Sequence, residues 1–398
     1  MSTTESKNLL TEYIDFSLRT TDAPYIFHEF TGLLIIATLL GDRVYLMEGG
    51  SRIYPNFWLT LLAPSSWFRK STALETGIKL LDRINPDLLW ANSFSYEGLR
   101  KEIAEKITGL LYYDEFASLH ELLQRDFAKE TLPLLTSLYN GYMWNKRRLS
   151  NSSVDLPTHP VGNLGATSTY AWFFANIKQK DLEGGFYPRF MLIPANKRER
   201  TYPIRPRLPE TEWQDMVNRL KPLCDTQAIF DYSPEAEQTY KEWYIKFESK
   251  WGKEYHSAFF TRMTTYCKKF AILNEIVNNQ GITYTKGGLG YLSKKSIDDA
   301  GGRVNWLAEN FKKFIDKELE LHPTRKLGER IISALQEAPN HKLRRSAFIN
   351  KLRISARQLE EALKHLLYGN AIRLEPHAGK GGGVFIILQP DSENKDLL

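Results

Sequence analysis

The sequence predicts an α/β protein: a parallel sheet flanked by helical segments, followed by a small C-terminal domain of three helices and a β-hairpin. Three observations predict it. Residues Phe57–Ala73, FWLTLLAPSSWFRKSTA, pass from an apolar stretch through a short polar loop into Lys-Ser-Thr and a helical pattern. Residues Thr108–Ser118, TGLLYYDEFAS, form a second apolar stretch that ends on two carboxylates. From Arg325 to Leu388 there are twelve Lys/Arg against five Asp/Glu, a surplus of seven that leaves the rest of the chain at −1 of the total +6. Charge gathered in one segment is the electrostatic footprint of a nucleic-acid surface.

A chain of 398 residues has room for two or three domains, and 42% hydrophobic with 25% charged residues is ordinary for a globular protein. Cys224 and Cys267 are the only cysteines and have no metal-type spacing, which argues against a disulfide scaffold or a zinc site. The apolar run Gly32–Leu40 is too short to span a bilayer and lacks the flanks of a signal peptide. The expectation is a cytoplasmic protein with no membrane partner.

Helical spacing covers Ser6–Arg19 and Phe27–Leu40, with a strand at Arg43–Met47, so residues 1–53 read as an N-terminal helical region. The core is expected over 54–206. In it, Pro64, Ser65, Ser66, Trp67, Phe68, Arg69, Lys70, Ser71 and Thr72 occupy the place of a phosphate-binding loop between a strand and a helix (Thr72–Ile84). Such a loop cradles phosphates with backbone N–H groups and a helix start, while its lysine neutralises the β- and γ-phosphates of ATP. Lys70 and Ser71 match G-x-x-x-x-G-K-[ST], but Pro64 and Arg69 stand where the two glycines belong. Glycine permits positive φ and close approach of the backbone to phosphate. Arg69 either strains the loop or adds a phosphate contact, and the residues leave both open.

The Leu110–Tyr113 strand delivers Asp114 and Glu115 to its C-terminal edge. Mg²⁺ prefers oxygen ligands and keeps several waters. Asp114 with the Ser71 hydroxyl is therefore the expected metal pair, and Glu115 the residue that orients the attacking water. Pro160–Thr169, PVGNLGATST, is a further strand ending in hydroxyls, with Ser168, then Thr167, as candidate γ-phosphate sensors. In Gly184–Arg200, GGFYPRFMLIPANKRER, Arg189 precedes an apolar strand and is a candidate arginine finger toward a neighbouring subunit. Tyr139–Pro157 reads as two short strands around a polar turn, with Lys146, Arg147 and Arg148 placed against the phosphates of a nucleic-acid strand.

Residues 207–322 are expected to be a mostly helical lid and linker, with Arg262 near the start of a helix at Phe260–Val277 as a second sensor. Over 323–390, helices are expected at Leu327–Ala338, at Leu343–Leu352, and after a Ser355 cap, with strands at Ala371–Glu375 and Val384–Leu388 around a glycine-rich turn. That order spells a winged helix, whose usual ligand is DNA, although some members bind proteins only. Arg353, Arg357, Gln358 and Lys364 would lie at the recognition helix and Lys380 on the wing. A polar tail, 391–398, follows.

With these motifs located, the chain resembles a family of bacterial, archaeal and phage P-loop ATPases found with primases on mobile elements. The matching pieces are YPNFWLTLLAPSSWFRKSTAL, GLLYYDEFASL, LYNGY, NLGATST and GGFYPRFMLIP, over about residues 54–195. The order of motifs is also similar to the AAA+ core of mini-chromosome maintenance helicases. The resemblance implies an AAA+/RecA-like core using ATP and Mg²⁺, and homo-oligomeric rings, hexamers by expectation, that move along DNA. Single-stranded DNA would pass through the pore, duplex would meet the winged helix, and a primase or initiator would be a partner. The leading expectation is an ATP-driven DNA motor; the competing one is an initiator, loader or regulator that uses ATP as an assembly switch.

Overall fold

Residues 58–62 are apolar apart from Thr60, with no polar–apolar alternation, the pattern of a strand covered on both faces, and all five are buried. In the computed structural model this strand is an inner strand of a five-stranded sheet, with a neighbour on each side. The structure describes residues 8–64, 67–125, 128–143, 156–177, 185–252, 257–279, 288–321, 323–368, 371–376 and 384–388. The chain divides into two compact units, Met1–Phe311 and Lys312–Leu398.

The first unit opens with α1 (Leu9–Leu18), α2 (Tyr25–Leu40), β1 (Val44–Glu48) and β2 (Ser51–Ile53), then β3 (Trp58–Leu62), α3 (Lys70–Ile84), β4 (Leu89–Trp90), α4 (Tyr96–Glu105) and β5 (Thr108–Tyr113). It continues with α5 (Phe116–Gln124), α6 (Ala128–Asn140), β6 (Val161–Ser168), α7 (Tyr170–Asn176) and β7 (Phe190–Pro194). The sheet order is β4-β5-β6-β3-β7, and every pairing is parallel. Strand β6 comes late in the chain yet lies between β5 and β3. Helix α2 is apolar on nearly all sides because it is a core helix; with the turn that follows it is long and apolar enough to cross a membrane, but most of it is buried inside the fold. It approaches α3 closely at Gly77, where a Cβ would stand 2.7 Å from Thr31 Cγ2 and 2.8 Å from Ile35 Cγ1.

The remainder of the unit is α8 (Glu210–Leu220), β8 (Ala228–Tyr232), α9 (Pro234–Trp251), α10 (Ser257–Asn278), β9 (Leu289–Leu292) and the start of α11 (Lys294–Leu321). The expected separation into an N-terminal helical region and a helical lid is corrected here. Strand β1 pairs in parallel with β8, and β8 with β9, so residues from both stretches build one second sheet of order β2-β1-β8-β9. The expected hairpin at Tyr139–Pro157 begins instead as the end of α6, closed by Gly141 at φ 66°, a left-handed turn that suits glycine. Lys146, Arg147 and Arg148 lie outside the described residues.

The second unit contains α12 (Pro323–Gln336), β10 (Lys342–Arg344), α13 (Arg345–Leu352), α14 (Ala356–Tyr368), β11 (Ile372–Pro376) and β12 (Val384–Leu388). The three strands form an antiparallel sheet of order β10-β12-β11, and Leu327, Ile331, Leu335, Phe348, Leu359 and Ile386 lie in its core. The sequence reading missed β10, whose three residues are too few to show an alternation.

Candidate functional site

A parallel sheet gathers the ends of its strands on one edge, and the three expected motifs meet there. Lys70 follows the end of β3, Asp114 and Glu115 follow β5, and Thr167 and Ser168 end β6 between them. The register sets them level: Leu62 pairs with Ser168, and Tyr113 with Ala166. Thr167 is buried and its hydroxyl donates to the Asp114 carbonyl, fixing the β5 end against β6. The Ser168 hydroxyl donates to the Thr169 carbonyl at 3.3 Å.

Lys70 opens α3 and is buried, its ammonium donating to the carbonyls of Ala63 and Pro64 at 3.0 and 3.1 Å. Burial lowers its pKa, while the nearby Glu115 and Asp114 carboxylates act to raise it. The three charges of the expected site therefore share one field. Ser71 and Thr72 are half-buried in the first turn, Phe68 is buried, and Trp67 is 64% exposed; Ser65 and Ser66 are outside the described residues. Arg69, at the second glycine position of the motif, has φ 51° and ψ 36°. The left-handed backbone that glycine would supply is thus present, with an arginine in it.

Asp114 and Glu115 are exposed and open onto a pocket of about 510 Å³ whose wall also includes Asn92, Ser93, Ser118 and Arg125; Lys70 is not on that wall. Asn92, which donates to the Tyr112 carbonyl at 3.2 Å, and Arg125 escaped the sequence reading. Asn92 follows a two-residue strand that carries no periodic signal. No group of three or more His, Cys, Asp or Glu able to hold a metal occurs among the described residues. The oxygen donors on this edge, the Asp114 carboxylate and the Ser71 hydroxyl, suit a cation that keeps most of its waters.

Two expected residues stand elsewhere. Arg189 precedes β7, level with Phe57 at the other end of the parallel sheet, so it is far from its own chain's loop. It is only 6% exposed, donates to the Gly185 carbonyl and lies over the Tyr139 ring, 5.5 Å from the centroid. A finger projecting from the subunit surface does not match this burial. Arg262 lies on the same side: the Arg189 and Tyr139 groups both feel its charge. Helix α10, expected as a lid, packs there too, because Tyr266 donates to the Arg189 carbonyl and Phe270 meets Phe30 and Phe57. Neither Arg262 nor its helix covers Lys70 in this chain.

The same end holds Lys269, buried, donating at 2.7 Å to both the backbone and side-chain oxygens of Asn56. Burial, reinforced by the Arg189 charge, pushes its pKa down to about 7. A lysine whose folded pKa is depressed holds fewer protons folded than unfolded between that value and its ordinary one, so stability rises with pH through that window. Unfolding measured from pH 7 to pH 10 should show wild type gaining on Lys269→Met by up to about 1.4 kcal/mol per pH unit. A constant difference would place the amine in a wetter setting than the structure shows.

In the second unit, Arg353 is exposed at φ 53° in the turn before α14, and Arg357 is exposed on the first turn. Ser355 caps α14 as expected, its Oγ accepting from the Gln358 N–H at 3.2 Å. Gln358, also exposed, has its Oε1 accepting from both the Ser355 N–H and the Ser355 hydroxyl at 2.9 Å. This is a reciprocal capping box, in which the amide oxygen serves the helix start. Lys364 is on α14, and Lys380 is outside the described residues. Compared with known proteins, the chain matches no protein-family model and no curated sequence.

Proposed function

We propose that the first unit is an ATP-binding and hydrolysing core of the additional-strand, AAA+-like type and that the second is a winged-helix DNA-binding module, together forming an ATP-driven DNA motor. The observation that carries this reading is the sheet edge itself. Insertion of β6 between β3 and β5 brings Lys70, the Asp114–Glu115 pair and the Thr167–Ser168 hydroxyls to one edge. In this reading Lys70 and the N–H groups at the start of α3 hold the phosphates, and Ser71 and Asp114 hold the magnesium ion. A magnesium ion held there would supply positive charge against the phosphates. Glu115 orients a water and Thr167 keeps the carboxylate strand in place.

A ring is the assembly this reading favours. At the end of the sheet away from Lys70, Arg189 is buried, and the half-buried Arg262 is the better candidate to meet a nucleotide held by another copy. A helicase of a mobile element, working beside a primase, is the form the sequence resemblance adds. Native mass measured with ATP and forked DNA should rise to a multiple of the monomer, hexameric by expectation, and DNA should stimulate ATP turnover. A monomer under all conditions, with turnover indifferent to DNA, would sink the motor.

A second reading, ATP as an assembly switch without translocation, rests on the Lys70 ammonium donating to its own loop carbonyls. Assembly on DNA with ATP but no strand separation would favour it.

A further inference from the structure

The loop that carries Lys70 lacks the glycines that normally shape such a turn, yet Arg69 holds the left-handed backbone there at φ 51°. A side chain in that region is disfavoured, and it persists where the surroundings over-determine it. The surroundings converge on Asp22, in the link between α1 and α2. Asp22 is buried, and its carboxylate lies 3.6 Å from the Arg69 Nε, accepts from the Arg198 guanidinium at 2.7 Å and accepts from the Tyr202 N–H at 3.1 Å. Arg198 in turn lies over the indole of Trp67, 4.4 Å from the ring centroid. The loop is thus gripped at two residues, Trp67 and Arg69, by one carboxylate and the arginine it holds.

The grip is itself anchored. The segment after β7 is fastened to the α1–α2 link by Tyr202 Oη donating to the Leu18 carbonyl at 3.0 Å, Arg205 Nε donating to the Thr20 carbonyl at 3.2 Å, and the Tyr25 N–H donating to Glu199 at 3.2 Å. Asp22 and Arg198 are therefore fixed from both sides, whereas the Arg69 side chain is half exposed and takes its place from them.

We propose that Asp22 is a positioning residue of the phosphate loop: through Arg69 and Arg198 it enforces the turn that glycine would otherwise supply, and so presets the backbone N–H groups that receive a nucleotide's phosphates. The role rests on the nucleotide reading above. It makes Arg69 an anchor of the loop in place of a phosphate contact, and it explains how a loop without glycine keeps a glycine-type backbone.

The experiment compares the Arg69 chain, Arg69→Gly and Arg69→Ala, each with and without Asp22→Asn, by ATP calorimetry and by thermal melting without nucleotide. Asn keeps the shape of Asp22 and can still accept from Tyr202 but loses the charge. Both position-69 variants lose the anchor, but only glycine takes positive φ without cost. Arg69→Gly should therefore bind ATP about tenfold more tightly than Arg69→Ala, the ratio implied by the left-handed cost of a β-carbon. Asp22→Asn should weaken affinity about tenfold in the Arg69 chain, as expected if the cradle then forms a tenth of the time. In the Arg69→Gly chain it should matter by no more than about twofold, because coupled residues act non-additively. The melts should not reproduce this split, since a merely structural role would lower stability alike in both backgrounds. Equal ATP affinity in the Gly and Ala variants, or an Asp22→Asn effect of the same size in both backgrounds, would overturn the positioning role. If Asp22→Asn fails to fold, the Gly–Ala contrast decides alone. Wild type that binds no ATP would overturn the nucleotide reading and the positioning role with it.

Discussion

Lys70→Ala should weaken ATP binding at least about a hundredfold: in the proposed site the ammonium turns its two hydrogen bonds from the loop carbonyls to phosphate oxygens, and each hydrogen bond between charged partners contributes about 1.5–3 kcal/mol. Alanine at this position removes the only cation among the described residues that is both buried on this edge and within the field of Asp114 and Glu115. The change also leaves the Ala63 and Pro64 carbonyls without the donor they now share. A melting measurement must accompany the calorimetry so that a softened loop is not mistaken for a missing charge. Glu115→Gln is the complementary test. It keeps the shape at the start of α5 but replaces a carboxylate that can accept a proton from water. Binding should survive while phosphate release falls by about 10²–10⁴, the range for loss of a positioned general base. Unchanged turnover in Glu115→Gln would move the role to Asp114 or to another carboxylate on the pocket wall, of which Glu121 is the candidate. Unchanged affinity in Lys70→Ala would remove the site altogether.

The second large effect is expected at the basic unit. Replacing Arg353, Arg357 and Lys364 together with alanine should weaken duplex binding by about two to three orders of magnitude at 0.1 M salt, and flatten the logarithmic salt slope by about 2.7. The reasoning is counterion release: every phosphate that a cation no longer neutralises changes that slope by about 0.9. Arg353 and Arg357 are exposed at the start of α14, and the core of the unit lies on the opposite side of that helix, at Leu359, Ala362, Leu363 and Leu366. Gln358→Ala should behave differently. Its amide closes the capping box with Ser355, so its loss should cost about 0.5–2 kcal/mol of stability in this unit and leave the salt slope where it was. A salt slope untouched by the triple replacement would overturn the proposed nucleic-acid ligand and favour a protein partner for this unit.

The features legible in the sequence are those that neighbouring residues decide among themselves. A mostly apolar run without alternation must be covered on both faces, and so the stretch before the Lys70 loop and Leu110–Tyr113 were readable as buried strands. Lys70 directly after a polar loop and before a helical period is equally local, as is the cap that Ser355 places on α14. Charge is additive along the chain, so the basic C-terminal segment needed only counting. Pairing between distant segments is a different matter. Nothing within 43–47 or 228–232 shows that the two meet in one sheet, because a strand's edge hydrogen bonds carry no label for their partner. The same holds for Arg189, Arg262 and Gln358. An arginine before a strand reads alike whether it projects or lies under Tyr139, and an amide on a helix's first turn reads alike whether it meets a base or its own cap.

The sequence by itself determined the strand–loop–helix carrying Lys70, the carboxylate-tipped strand and the basic helical segment, since each is specified by side-chain period, charge and capping within about twenty residues. The tertiary structure decided which end of the sheet each residue occupies, that β6 lies between β3 and β5, and that a left-handed backbone at Arg69 is held against its own preference by Asp22. Those outcomes depend on burial and pairing between segments far apart in the chain, and such energies exist only once the segments are packed together.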